Sequence, residues 1–233
     1  MNSSRWVRPT AATQAAAIFG VCVVAMSAGF LIALYDHLPE LLVVHFMRNG
    51  FPNGFQYKTW PRVLMPVFVQ LALMLTLGMV AVLLLSRPHG EHDEDAPDVR
   101  AAATAAEAVA LLALIWIVVQ AAGAIAITRM WERQIPRLDG FGLAEAIGIV
   151  LTVAVAWRAT RRLGRPDPRP FVPEHWRYGQ LYNNPSDPAL FVPTRNGTRW
   201  TLNFGRPVAA ALMGFVLLIG IVAPALILGL SLR

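Results

Sequence analysis

The sequence predicts an all-α integral membrane protein of five transmembrane helices, with a small cytoplasmic β-hairpin in the loop before the last helix. Three observations lead there. The chain is 56% hydrophobic and only 15% charged over 233 residues, where an ordinary soluble domain carries ~25% charge. Five apolar runs approach the ~20 residues that a helix needs to cross ~30 Å of hydrocarbon. Ahead of the last run, an Asn-Gly pair is flanked on both sides by β-prone residues, the mark of a tight hairpin.

The runs extend roughly from Ala12 to Tyr35, Val63 to Leu85, Ala101 to Ile127, Phe141 to Trp157 and Val208 to Leu230. Charges fill the gaps between them, and in lipid every backbone polar group must be paired within its own segment, so each run is read as a helix. The first run, preceded by Arg5 and Arg8, has the outline of a secretory signal peptide. It outlasts a signal core of ~7–15 residues and no Ala-x-Ala site closes it, so a retained helix is expected. Cys22, the single cysteine, lies inside that helix and can form no intramolecular disulfide. Ala144 and Gly148 offer a close helix contact, and Pro224 should kink the last span. The organisation that follows is a first helix, outer loop and second helix (1–86), an acidic loop (87–100), a helix pair (101–160), a basic, proline-rich segment with its hairpin (161–206) and a final helix (207–233).

Orientation comes from the basic residues. The amino-terminus, the second loop and the fourth loop together hold 13 of the 20 Lys and Arg, and the other side holds seven. Cytoplasmic loops are enriched in these residues, which places the amino-terminus inside and the carboxy-terminus outside the cytoplasmic membrane. The net charge of +6 then reflects topology. Nucleic-acid binding is not expected, because the basic residues are spread over membrane-flanking loops with no nucleic-acid fold beside them. Anionic lipid headgroups are the expected partner of the arginine-rich inner loop. Within that loop "RRLGRPDPRPFVP" reads as an extended linker. In "ALFVPTRNGTRWTLNF" the pair Asn196-Gly197 suits a type I′ turn, with both residues at positive φ, and Pro193 restricts its arm to an edge.

The polar residues inside the spans are Gln70, Gln120, Glu107 and Glu145. The two carboxylates lie near span ends and should reach the interface; the glutamines lie deeper and suit hydrogen bonds between helices. Trp60, Trp131, Trp157, Trp176, Tyr178, Tyr182 and Trp200 read mostly as an interfacial aromatic belt. In the outer loop, Asp36, His37, Glu40 and His45 could bind zinc or relay protons, but their spacing matches no familiar site. If Pro39 opens a short amphipathic helix, Glu40 and Val44 share a face. His45 is therefore expected to anchor the loop through backbone hydrogen bonds, with Gly50, Pro52 and Gly54 shaping a tight turn. The run "HGEHDEDAPD" reads as a solvated charge cluster. No metal site, cofactor or catalytic motif is expected: the chain has no Gly-x-Ser-x-Gly elbow, phosphate loop or His-Glu-x-x-His.

Two stretches carry a resemblance. "LPELLVVHFMRNGFPNGFQYKTWPRVLMP" resembles the membrane domain of the SdpI group, the sporulation-delaying-protein immunity family. The matching positions are Leu38, Pro39, His45, Phe46, Gly50, Pro52, Asn53, Gly54, Lys58, Leu64 and Pro66. Val43 and Asn53 depart from the Pro and Asp usual there. "WRYGQLYNNPSDPALFVPTRNGTRWTLNFGRP" resembles a cytoplasmic domain of unknown function that accompanies the first in some bacterial membrane proteins. It matches at Tyr182, Asn184, Pro185, Asp187, Pro188, Val192, Pro193, Gly197, Trp200, Thr201, Asn203 and Phe204. The resemblance implies protection against a secreted peptide, reported inward to a cytoplasmic regulator. The alternatives are a small transporter or transporter subunit using the intramembrane polar residues, and a structural accessory of a membrane complex.

Overall fold

The computed structural model describes residues 6–47, 49, 51–86, 96–134, 140–166 and 169–217. They form six helices: α1 (Ala11–Leu34), α2 (Trp60–Val63), α3 (Met65–Leu85), α4 (Pro97–Arg133), α5 (Phe141–Leu163) and α6 (Pro207–Leu217). Three two-stranded antiparallel sheets pair β1 (Leu41–Phe46) with β2 (Pro52–Tyr57), β3 (Trp176–Arg177) with β4 (Leu181–Tyr182), and β5 (Phe191–Pro193) with β6 (Trp200–Leu202). Among the described residues, four helices are long and apolar enough to cross a membrane: α1 with the 3-10 turn after it, α3, α4 and α5. The fifth expected span begins as α6; its remainder from residue 218, with Pro224, lies outside the described residues, as do Gly50 and most of the acidic loop, 87–95.

Local chemistry accounts for the boundaries. The second span is broken at Leu64 because Pro66 has no N–H to give and its ring crowds the preceding turn. Helix α4 outruns its apolar centre at both ends. Pro97 is well placed at its first position, Asp98 complements the positive helix start, and Arg133 complements the negative end. Helix α5 likewise runs on through Arg161 and Arg162 to Leu163, and Gly164 turns the chain out of it at φ +60°.

The chain forms two compact units, one of Ala11–Met79 with Ala108–Arg158, the other of Met1–Thr10, Val80–Glu107 and Ala159–Arg233. In the first, α1 buries Thr13, Ala16, Gly20, Val24, Ser27 and Leu31, one stripe at helical spacing whose small residues allow close helix approach. Gly20 lies beneath Ile117, and at Gly148 a Cβ would sit 2.7 Å from Val119 Cγ2, so the expected small-residue contact of α5 is made against α4. The core gathers Val24, Leu31, Leu38, Leu42, Val63, Val67, Ile117, Ala124 and Trp131.

The second unit packs Val7, Val99 and Ala102 with Leu85 and Phe191. Val7 N donates to Leu85 O at 3.0 Å. Glu107 is buried there, paired with Arg162 at 2.8 Å and accepting from Thr10 Oγ1 at 2.8 Å. It therefore turns into the protein rather than out to an interface. Trp131 and Tyr182 are also buried, so neither belongs to an exposed aromatic belt.

The loop between the first two spans is neither helix nor simple turn; it is a β-hairpin. Leu41 pairs with Tyr57, Val43 with Phe55 and His45 with Gly54, with register shifts on either side of His45. Those irregularities break the alternation of period two that announces a strand in sequence. The Asn196-Gly197 hairpin forms as expected in its arms, but its turn differs. Among the described residues only Gly197 of the pair has positive φ, and Gly197 N donates to Thr194 O at 2.7 Å. The chain makes a turn over Thr194–Gly197 with glycine at its last position, rather than a two-residue type I′ turn.

Candidate functional site

In the β1–β2 hairpin the candidate residues Asn53 and Gly54 both meet His45, while Lys58 stands apart at the hairpin base. His45 Nδ1 hydrogen-bonds Asn53 Oδ1; the amide oxygen accepts, so Nδ1–H donates and Nε2 is left for another partner. His45 is thus held by a side chain eight residues on, not by backbone. Gly54 stands opposite it, and a Cβ there would lie 2.7 Å from His45 Cβ. Close approach, not turn geometry, is what calls for glycine, and Pro52 likewise lies within β2. Lys58 fastens the hairpin base: its Nζ donates to Leu38 O at 3.0 Å, pairs with Glu40 at 3.1 Å and lies 4.9 Å over the Tyr35 ring. That ring stacks on Trp60 at 3.7 Å. The Lys58 side chain is 7% exposed, so the ammonium is a fastening rather than a docking group.

From this base the hairpin presents apolar side chains outward. Tyr57 is 74% and Phe51 64% exposed, and Leu41, Val44, Met47 and Phe55 are exposed as well. Leu42 and Val43, consecutive in β1, are both fully buried, and Trp131 Nε1 donates to Val43 O at 3.1 Å, which covers part of the β1 edge. Strand β2 has β1 as its one neighbour among the described residues. Phe46 is half-buried at the strand end.

Of the intramembrane polar residues, Gln70 is fully buried and donates from Nε2 to Ser27 Oγ and Ile117 O, both at 3.0 Å. It joins α1, α3 and α4, as a deep glutamine is expected to do. Its Oε1 has no partner among the described residues. Gln120 is half-buried and Glu145 exposed, and no hydrogen bond links either to Gln70 among the described residues.

The second motif folds around one side chain. Asn203, fully buried, donates from Nδ2 toward Asn184 O, Asp187 O and Ala189 O at 2.9–3.2 Å and accepts at Oδ1 from Asn184 N and Gly205 N. Tyr182 donates its hydroxyl to Asp187 at 3.0 Å, which also receives Arg169 at 2.9 Å. Burial, followed by the negative charge of Asp187, raises the Tyr182 phenol above its ordinary value despite a hydrogen bond from Asn184. Trp200 Nε1 donates to Leu163 O at 3.1 Å, tying β6 to the last residue of α5. Thr201 pairs with Val192 across the sheet, while Pro185, in a turn, and Pro188, after it, are exposed. This cluster holds a loop in shape.

Beside it lies a feature the motif did not name. Trp176, Gly179, Gln180, Arg195, Thr198 and Arg199 line an open cleft of about 620 Å³, with Arg195 stacked 4.5 Å over Phe171. The spacing of Arg195 and Arg199 on either side of Asn196-Gly197 was the available signal.

These features define a protein with four helices long and apolar enough for a membrane location, a hairpin between the first two, and a small arginine-rich unit near the last described helix. A family of unknown function, DUF5808, matches residues 185–209, which takes in Pro185, Asp187, Pro188, Trp200, Thr201 and Asn203. No curated protein and no solved structure matches the chain.

Proposed function

We propose that this is a multi-pass membrane protein that senses or neutralises a membrane-active peptide through the β1–β2 hairpin, as the resemblance to the SdpI group implies. One observation carries the reading: a firmly based hairpin exposes Phe51, Phe55, Tyr57 and Met47 beside a strand, β2, with only one partner among the described residues. An amphipathic peptide can lay its apolar side chains on that face while adding its backbone to the β2 edge. On the orientation implied by the Lys and Arg distribution the hairpin faces outward, where a secreted peptide arrives, and the basic segment faces a cytoplasmic regulator.

The test is survival of a susceptible bacterium under membrane-depolarising peptides, comparing empty vector, wild type, Phe51→Ser/Phe55→Ser and His45→Ala at matched membrane abundance. Wild type should protect. The Phe pair should lose about tenfold or more in protection, since two aromatic anchors of an interface supply at least that factor in affinity. His45→Ala should weaken protection less, by loosening the turn. Equal protection by the Phe variant would remove the hairpin from the mechanism; no protection by wild type against any peptide tried would remove the immunity reading.

A further inference from the structure

We propose that the cleft between the β3–β4 turn and the β5–β6 turn binds a phosphate ester, and that its occupant is the headgroup of an anionic phospholipid. This rests on reading the arginine-rich segment as the one that lies against lipid, and it makes that reading specific to one site.

The cleft is built for an anion. The two turns face each other, since a Cβ at Gly179 would come within 3.9 Å of Arg195 Nη1. No acidic residue lines it. Two arginines of the same unit are matched, Arg162 by Glu107 and Arg169 by Asp187, whereas Arg195 and Arg199, like Arg165 and Arg177 outside the cleft, have no carboxylate partner among the described residues. Both sit on a loop that is fixed in advance. Asn196 Oδ1 accepts from Thr194 Oγ1 and Thr198 Oγ1, each at 2.8 Å, and Arg199 N donates to Thr194 Oγ1 at 3.1 Å. Stacking over Phe171 further restrains the Arg195 guanidinium. With the loop held in this way and the Arg195 guanidinium stacked, less ordering is left to do when the N–H donors of the two arginines meet a tetrahedral oxyanion.

Position selects the source of that anion. Through Trp200 and the Leu163 carbonyl the hairpin is tied to the end of α5, a helix apolar enough to span a membrane; helix ends of this kind lie at headgroup depth. Beside the cleft, Tyr178 is held at φ +52° and is 93% exposed. Tyr178 and Gly179 both have positive φ, and Gln180 N donates to Arg177 O at 3.2 Å, so a tight hairpin turn holds this ring out from the protein. A tyrosine suits the water–lipid boundary.

The experiment uses the full chain in neutral detergent and follows binding of dihexanoyl phosphatidylglycerol, dihexanoyl phosphatidylcholine and free glycerol 1-phosphate by titration calorimetry. It compares wild type with Arg195→Gln/Arg199→Gln and with Arg165→Gln/Arg177→Gln, which removes two exposed arginines from outside the cleft. Phosphatidylglycerol should bind wild type and the outside pair alike, and about tenfold or more weakly to the cleft pair; phosphatidylcholine should not bind measurably. Equal weakening in both pairs would overturn the cleft but leave diffuse attraction to anionic lipid standing. Absence of phosphatidylglycerol binding to wild type would overturn both. Glycerol 1-phosphate binding as tightly as the lipid would overturn the lipid as occupant while keeping the phosphate chemistry.

Discussion

Asn203 shows how much one side chain can settle. Its amide engages three carbonyls and two backbone N–H groups, most of them part-buried, and of these Asn184 O also has Asp187 N as a donor at 3.3 Å. Each such group left unmade costs on the order of 1–3 kcal/mol. Asn203→Ala should therefore lower stability by about 3 kcal/mol, measured as chemical unfolding followed by Trp fluorescence. Asn203→Asp should be at least as damaging, because it turns an acceptor toward three carbonyls; a neutral Asp substitution would show that these bonds carry no weight. Gly205→Ala belongs with them, since a Cβ there would lie 2.5 Å from the Asn184 carbonyl carbon and backbone cannot move aside cheaply. Tyr182 gives a pH-dependent prediction. Its raised phenol stays protonated in the folded chain after it would ionise in the unfolded one. The stabilisation is complete below the ordinary tyrosine value near ~10 and is lost as pH rises through the higher folded value. In ultraviolet titration one phenol should ionise above the ordinary tyrosine range, and Tyr182→Phe should remove both that late step and the alkaline loss of stability attached to it.

Among the elements, the apolar spans were legible because length and hydropathy are summed over some twenty residues and no single position decides them. The small-residue contact at Gly148 was legible too, though the partner, Val119, was not. It yields a test: Gly148→Leu should push α5 off α4 and cost about 1–3 kcal/mol, and Val119→Ala in the same chain should recover part of that loss by making room. A double variant no better than the single one would mean that Gly148 is needed for another reason. What the sequence concealed was pairing. His45 looked partnerless because the segment was read as turn or helix; Asn53 reaches it only once two strands fold back on each other with irregular register. The signals that could have announced the hairpin were adjacent β-branched Val43 and Val44 and a turn-rich interval before Phe55. Glu107 misled in the same way. A carboxylate near a span end is expected to seek water, and its partner Arg162 lies 55 residues away, a separation that only tertiary structure closes. The cleft at Arg195 and Arg199 was hidden for the same reason, since its opposite wall, Gly179 and Gln180, belongs to another hairpin.

For the molecule as a whole, the decisive quantity is orientation, because the hairpin can meet a secreted peptide only from outside. The proposed orientation has the amino-terminus and the arginine-rich unit inside, as the distribution of Lys and Arg predicts, and each apolar helix that crosses reverses the side. Two exposed positions report on it directly: Gln56 on β2 and Ser186 in the loop after β4. With the native thiol removed as Cys22→Ser, Gln56→Cys should react with a membrane-impermeant maleimide in intact cells. Ser186→Cys should react only after the membrane is permeabilised. The reverse pattern would turn the protein over, put the apolar hairpin in the cytoplasm and leave the peptide-sensing reading without access to its ligand. The phosphate cleft would survive that inversion, because anionic headgroups line both leaflets, so one labelling experiment weighs the two proposals separately. Reaction of both cysteines in intact cells would instead contradict the alternation of three spans, α3, α4 and α5, between the two positions.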